Sequence, residues 1–438
     1  MNSAMRNVLY FSLMAAAFIV VGQFQSWNLS LTILNLCLIS AIMSLGVNIQ
    51  WGYAGLFNVG IMGFAALGGL AAMLISVPPI REAWAVGGVG VLFGLIILVV
   101  TILAAVFTFK KMDGKRFRIA VVVVLCIVGY YVLRKVTDPA TLAIEKVNPA
   151  ATGYLGGLGL PILLAWPIGG LFAGAAAWVV GKITLGLRTD YLAIATLGIS
   201  EIIVAMLKHE DWLTRGVKNV TGLPRPVPYE IDLQQTSWFI DLSQRLGADP
   251  VTFSSIFVKI AYAVLFAIVL LIILWFSEKA LRSPWGRMMR AIRDNEVSAS
   301  AMGKDVKARH LQVFVLGGIV VGIAGAMLTT IDGQLTPSTY HPLRFTFLIW
   351  VMVIVGGSGN NWGAVLGGFV IWFFWVEAEP MGTWLMHAIT AGMDADSPLR
   401  LHLIDSAAHM RLMTMGVILL LALRFSPRGL IPEKVGTH

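Results

Sequence analysis

Apolar runs, most of them near the length of about twenty residues that spans a bilayer, recur along almost the whole chain. Only 13% of the 438 residues are Asp, Glu, Lys or Arg, and 58% are hydrophobic, with a mean hydropathy of +0.81. A soluble domain carries roughly 25% charged residues, so a soluble globule of this size lacks the charge to cover its surface. Disorder is excluded as well, because disordered chains are poor in apolar residues. A transmembrane β-barrel alternates strictly over segments of about ten residues, and these runs are longer and do not alternate. The fold class is therefore all-α, a polytopic transmembrane helical bundle.

The runs fall near 8–25, 31–48, 54–76, 84–108, 119–133, 155–181, 190–207, 254–276, 310–330, 344–357, 363–378 and 408–424. This predicts about 10–12 spans in one membrane domain covering 1–438. The first run is too long for the core of a cleavable signal peptide and no A-x-A site follows, so it is expected to be the first span. Three runs are unusual. The 54–76 run is broken by Gly55, Gly60, Gly63, Gly68 and Gly69. The 344–357 and 363–378 runs are short and meet at Gly356, Gly357, Gly359 and Gly363. Irregular backbone survives at membrane depth only when buried in protein or lining a cavity.

Basic residues set the expected orientation. They cluster at Lys110, Lys111, Lys115, Arg116 and Arg118, at Lys182 and Arg188, from Lys279 to Arg309, and at Arg424, Arg428 and Lys434. Twelve crossings with both termini cytoplasmic put every cluster on the cytoplasmic side, with Arg134 and Lys135 as an exception. The net charge of +9 is thus read as membrane anchoring, with no nucleic-acid partner. The segments 137–153, 208–253, 331–343 and 379–407 are then external. The 208–253 insertion is a plain loop or a docking surface for an external partner.

Catalytic signatures are missing. The pairs Gly114-Lys115, Gly181-Lys182 and Gly303-Lys304 are followed by Arg116, Ile183 and Asp305, so none completes a phosphate loop. His402 and His409 match no common metal-ligand spacing, and Cys37 and Cys126 sit apart in apolar runs. Acidic residues within the runs are few: Glu201 lies inside 190–207 and Glu377 near the end of 363–378. A relay-driven pump would need more. The chain reads as a passage without its own motor. A Gly-broken run beside intramembrane polar residues makes Gly55, Asn58, Gly60, Thr196 and Glu201 the candidates for the path.

The segment 283–309, SPWGRMMRAIRDNEVSASAMGKDVKAR, is amphipathic. Met288, Met289, Ile292, Val297, Ala301 and Met302 supply an apolar face. Two readings stay open: a helix lying on the membrane surface, or a helix docking into a partner's groove.

Here the sequence resembles a family. The segment is similar to the cytoplasmic coupling region of ABC importer permeases. Seven stretches in order resemble the LivM-type permease of branched-chain amino acid importers. They are LGVNIQWGYAGLFNVGIMGFAALGG at 45–69, LRTDYLAIATLGISEII at 187–203, TRGVKNVTGLP at 214–224, GRMMRAIRDNEVSASAMG at 286–303, GGIVVGIAGAML at 317–328, IVGGSGNNWGAVLGG at 354–368 and RFSPRGLIP at 424–432. The general importer signature E-A-A-x-x-x-G is altered: Val297 and Ser298 follow Glu296, and Gly303 falls one residue late. The region 84–154 matches the family poorly and reads as an inserted hairpin.

The resemblance implies a non-enzymatic permease subunit in a bacterial inner membrane. Its expected partners are a second permease, two ATPase subunits that carry ATP and Mg²⁺, and an external substrate-binding protein. No cofactor is expected on this chain. The coupling residues it implies are Arg287, Arg290, Arg293, Asp294, Glu296, Ala299 and Gly303, on one short cytoplasmic helix over 286–303 that Gly303 ends. The expected cargo is a branched-chain or related amino acid. Urea, amides or small organic acids remain the alternative within the class, and a secondary transporter is a further one.

Overall fold

The computed structural model describes residues 3–394 and 397–433; Lys434, the last residue of the C-terminal basic cluster, lies outside them. Among the described residues ten helices are long and apolar enough to cross a membrane, and two shorter apolar helices accompany them. In chain order they are α1 (Ser3–Phe24), α2 (Trp27–Ala54), α3 (Ile61–Ser76), α4 (Arg81–Lys111), α5 (Lys115–Lys146), α6 (Ala165–Thr184), α7 (Thr189–His209) and α8 (Pro250–Arg282). Two short helices follow, α9 (Pro284–Asp294) and α10 (Glu296–Ala301). The chain continues through α11 (Val306–Asp332), α12 (Pro342–Gly356), α13 (Asn361–Ile389) and α14 (Pro398–Phe425), whose apolar part is Met410–Phe425. The twelve membrane helices match the apolar runs one for one. Of the two runs expected to be short, only α12 is; α13 continues through Pro380 to Ile389.

Helix α5 also outlasts its apolar run. Residues 137–146, expected to be external loop, extend it by three turns. Arg134 pairs with Asp138 at 3.1 Å across one turn, and Ala140 and Ile144 recur on one face and are buried beside Ala83 and Val91 of α4. That one-turn spacing is the helical period.

One end of the bundle gathers the basic residues at the ends of α4, α6, α8 and α14; we call it the basic side. At the opposite end the connecting segments hold one another. Strand β1 (Val220–Thr221) pairs antiparallel with β2 (Gln334–Leu335), Val220 opposite Leu335. The N–H of Leu155 donates to the Trp212 carbonyl at 3.0 Å, and Arg215 donates to the Ala150 carbonyl at 2.5 Å. The 208–253 insertion is folded, with three short helices, and Phe239 is fully buried against Phe253 at 5.1 Å between ring centroids.

The core forms where α11 packs against α2, α3 and α6. Lipid supplies no hydrophobic drive between helices, so small residues that let backbones approach are what bind them. A Cβ on Gly68 would sit 1.9 Å from the Gly322 carbonyl oxygen, and one on Gly325 would sit 2.0 Å from that of Ala65. The stretch GGIVVGIAGAML is the small-residue face of α11.

Candidate functional site

Helix α2 ends at a break on the basic side of the bundle. Gly55 takes a left-handed conformation, φ 69°, and its N–H caps the helix by donating to the carbonyls of Gln50 and Trp51. The chain then runs without helix over 55–60 before α3 begins. This break is buried and its polar groups are satisfied from inside the chain, as membrane depth requires. Asn58, 1% exposed, donates from Nδ2 to Gln50 Oε1 at 2.8 Å and accepts at Oδ1 from the Gly60 N–H at 2.8 Å. Its carbonyl accepts from the Trp350 indole at 3.0 Å. The N–H of Val59 donates to Thr196 Oγ1 at 3.1 Å, and that of Gly63 donates to Ser200 Oγ at 2.8 Å. Gln50 Nε2 reaches the Phe314 carbonyl on α11 at 2.8 Å. Trp51, Phe57 and Trp350 pack edge-on against one another around the break, at 4.6–5.6 Å between ring centroids.

The structure therefore brings Gly55, Asn58, Gly60 and Thr196 together. Gly60 lies so close to α7 that a Cβ would meet the Thr196 carbonyl oxygen at 2.4 Å. Glu201 is elsewhere. Five residues along a helix turn roughly 140°, so Thr196 faces the break and Glu201 faces out of the bundle. It is exposed, with no hydrogen bond or ion pair among the described residues. Gln50, Ser200 and Trp350 are the partners that the reading of the sequence missed. Polar residues inside LGVNIQWG and GISEII were the available signal.

A second polar cluster lies at the basic side. Asn361, fully buried, accepts at Oδ1 from Asn48 Nδ2 at 3.1 Å and from the Tyr53 hydroxyl, and donates to Glu278 Oε1 at 3.0 Å. Asn48 Oδ1 in turn accepts from the Gly359 N–H at 2.8 Å. After α14 the chain folds back. The N–H groups of Leu430 and Ile431 donate to the carbonyls of Val355 and Gly356 at 2.8 and 2.9 Å, and Asn360 Nδ2 donates to the Pro432 carbonyl at 3.1 Å. This return delivers Glu433 to Arg293 at 2.9 Å and to Arg290 at 3.9 Å. Arg293 also donates to the Gly52 carbonyl in the last turn of α2.

The amphipathic segment is two helices where one was expected. Asn295 is extended, φ −155°, and its side chain caps α10 by accepting from the Ser298 N–H at 2.9 Å, so the chain restarts there. Ser283 caps α9 in the same manner through the Gly286 N–H at 3.3 Å, and Gly303, φ 75°, follows α10. The apolar face splits accordingly. Met289 and Ile292 are buried within the bundle, while Val297 and Met302 are 80% and 79% exposed. Arg290 and Arg293 turn inward to Glu433, and Ala299 is half-buried. Arg287, Asp294, Glu296 and Gly303 face outward.

A buried helix break wired to an amphipathic segment at one membrane face fits a transport subunit. Residues 142–423 match the model of the family described as the branched-chain amino acid transport system / permease component. The chain belongs to this family. The permease model begins after most of the α4–α5 hairpin. The high-affinity branched-chain amino acid transport system permease protein LivM of Escherichia coli is 28% identical over 221 residues, 49% of this chain and 50% of that protein. The probable branched-chain amino acid transport permease protein LivM of Methanocaldococcus jannaschii is 27% identical over 302 residues, 68% of this chain and 75% of its own. The D-allose transport system permease protein AlsC of Escherichia coli is 32% identical over 124 residues, 27% of this chain and 37% of that protein. The chain spans about half the length of the LivM permeases of Escherichia coli and Salmonella that it matches. No solved structure matches it.

Proposed function

We propose that this chain is the membrane-spanning permease subunit of an ATP-driven importer for branched-chain or related amino acids. The observation that carries the reading is Arg293. One guanidinium ties the amphipathic α9 to the Gly52 carbonyl, three residues before the helix break, and to the C-terminal Glu433. A push on α9–α10 is thereby delivered to the end of α2 and to the aromatic cluster around Asn58. On this reading the basic side is cytoplasmic, both termini face the cytoplasm, and the membrane is the bacterial inner membrane. Two ATPase subunits carrying ATP and Mg²⁺ dock on α10, where Val297 and Met302 offer apolar contact and Asp294, Glu296 and Arg287 offer charge. A second permease completes the path, and an external binding protein delivers cargo to the 208–253 side. Glu201, exposed on α7, faces that second permease.

The test is reconstitution of the complete importer in proteoliposomes. Wild type should take up leucine with ATP and show substrate-stimulated hydrolysis. Glu296→Arg should abolish both stimulation and uptake. If co-purification of the ATPases, stimulation and uptake all stay at wild-type levels in Glu296→Arg and in Arg293→Glu, the segment is not the coupling element. The likeness to the D-allose permease favours one second reading, a sugar cargo. Competition of labelled leucine uptake by D-allose separates the two.

A further inference from the structure

A cavity of about 260 Å³ lies inside this one chain, between α2, α3, α11, α12 and α13. Its end away from the basic side is lined by Asp332, the last residue of α11, and Thr339 in the loop that follows. Its floor is Met62, the second residue of α3 and two positions from Gly60 of the helix break. The walls are apolar and aromatic: Met43, Phe345, Ile349 and Trp372 are the residues that matter here. Ser40 and Thr339 add hydroxyls.

Two polar groups of this cavity stand without partners. The Asp332 carboxylate is exposed and makes no hydrogen bond or ion pair among the described residues. The indole N–H of Trp372 is buried with no acceptor. Leaving a buried donor unpaired forfeits its hydration with nothing in return, so a native structure that keeps one calls for an explanation. Among the residues whose side chains are described, which exclude Leu343 and Arg344, no Lys, Arg or His lines the cavity.

We propose that this cavity is an outer vestibule that binds a small molecule with an ammonium group and an apolar body, an aliphatic α-amino acid. The ammonium pairs with Asp332, the side chain lies against Met43, Phe345 and Ile349, and the carboxylate takes the Trp372 N–H. The volume sits just under the range of about 300–1,000 Å³ that serves drug-sized ligands, which suits a smaller guest. A sugar fits badly, because its ring of hydroxyls would lose water against walls that offer few partners. The site lies within one subunit, directly above the break at Asn58 and Gly60, so it loads that break from outside. The inference deepens the importer reading and rests on it for the identity of the cargo.

The test is binding to the full chain in lipid nanodiscs, followed by calorimetry. The probes are L-leucine, 3-methylbutylamine (leucine without its carboxylate), 4-methylpentanoate (without its amine) and D-allose. Wild type should bind leucine and the amine, and the acid at least tenfold more weakly. Asp332→Asn should weaken leucine and the amine tenfold or more, and Ile349→Trp should fill the cavity and remove binding of both. Both variants should keep the wild-type melting profile. Absence of leucine binding to wild type, or unchanged leucine binding in both variants, overturns the vestibule. Displacement of leucine by D-allose overturns the ligand class. The cargo reading fails separately: leucine binding that follows this pattern, with no leucine uptake by the complete importer, supports the vestibule and sinks the importer assignment.

Discussion

Helix α2 and the α4–α5 hairpin are both long and apolar, yet they occupy opposite environments. In α2, 78% of the most apolar stretch is buried; in α4 the share is 11% and in α5 none. The hairpin contains the most hydrophobic of the long helices, and it is the least enclosed. Helix α2 holds Asn35, Ser40, Ser44, Asn48 and Gln50, all buried. In a bilayer, apolar side chains lose nothing by facing lipid, so hydropathy marks where a helix crosses and not what it touches. Polar side chains have no such freedom. Their presence in α2 marks the interior, and the hydrogen bonds they make are what distinguish a working helix from a lipid-facing one.

The comparison breaks hardest at Arg293. Replacing it with Glu sets a second carboxylate against that of Glu433 and leaves the Gly52 carbonyl without its donor. A buried pair broken on one side costs about 3–5 kcal/mol; this pair is partly exposed, so about 2–3 kcal/mol is expected. Stimulated hydrolysis and uptake should both be lost, while insertion persists. Thermal melting and proteoliposome uptake check this. A variant that melts and transports like wild type would detach α9 from the wiring described above.

Next in size is the small-residue packing of the core. Gly68→Val places atoms against the Gly322 carbonyl, where even a Cβ lies at 1.9 Å. Overpacking of this kind costs about 1–3 kcal/mol. The melting temperature in detergent should fall, and uptake should fall with the yield of folded protein. The same substitution at Gly416 of α14, where a Cβ meets nothing within 4 Å, should be tolerated.

Asn58→Leu is smaller in stability and sharper in function. It strips Gln50 Oε1 and the Gly60 N–H of their partners while the Trp350 indole keeps the backbone carbonyl it donates to. Each buried group left unpaired costs about 1–3 kcal/mol, part of which Gln50 recovers by rearranging. Assembly with the partner subunits should survive and uptake should drop at least tenfold. Normal uptake would remove Asn58 from the path.

The spans were legible because a bilayer imposes one length on every apolar run. The break was legible too, since Gly55, Asn58 and Gly60 interrupt an otherwise apolar stretch. The wiring was not. Asn48 and Asn361 are 313 residues apart, and nothing local announces that their amides meet. Arg293 looked like a contact for another protein, and its charge is directed instead to Glu433 and Gly52, which only the fold-back after α14 could reveal. In the sequence Val297 and Met302 share one apolar pattern with Met289 and Ile292. Asn295, a strong capping residue, divides that pattern in two, and its position between Asp294 and Glu296 was the available sign.

The smallest effect is expected on the hairpin, and it is where the comparison is most easily undone. Val124 of α5 is 59% exposed and Leu103 of α4 is 62% exposed, both on faces open to lipid. Replacing either with Ala removes apolar area that lipid covers equally well before and after, so no transfer from water is lost. Alanine is also the best helix former, which offsets the few dispersion contacts given up. The expected change is within about 0.5 kcal/mol, the range of surface substitutions that touch no special feature. Val124→Ala and Leu103→Ala should therefore match wild type in melting temperature, partner co-purification and uptake. Loss of co-purification in either would mean that this face meets protein and not lipid. The hairpin would then belong with α2 among the working parts, and the contrast between the two would rest on partners outside this chain.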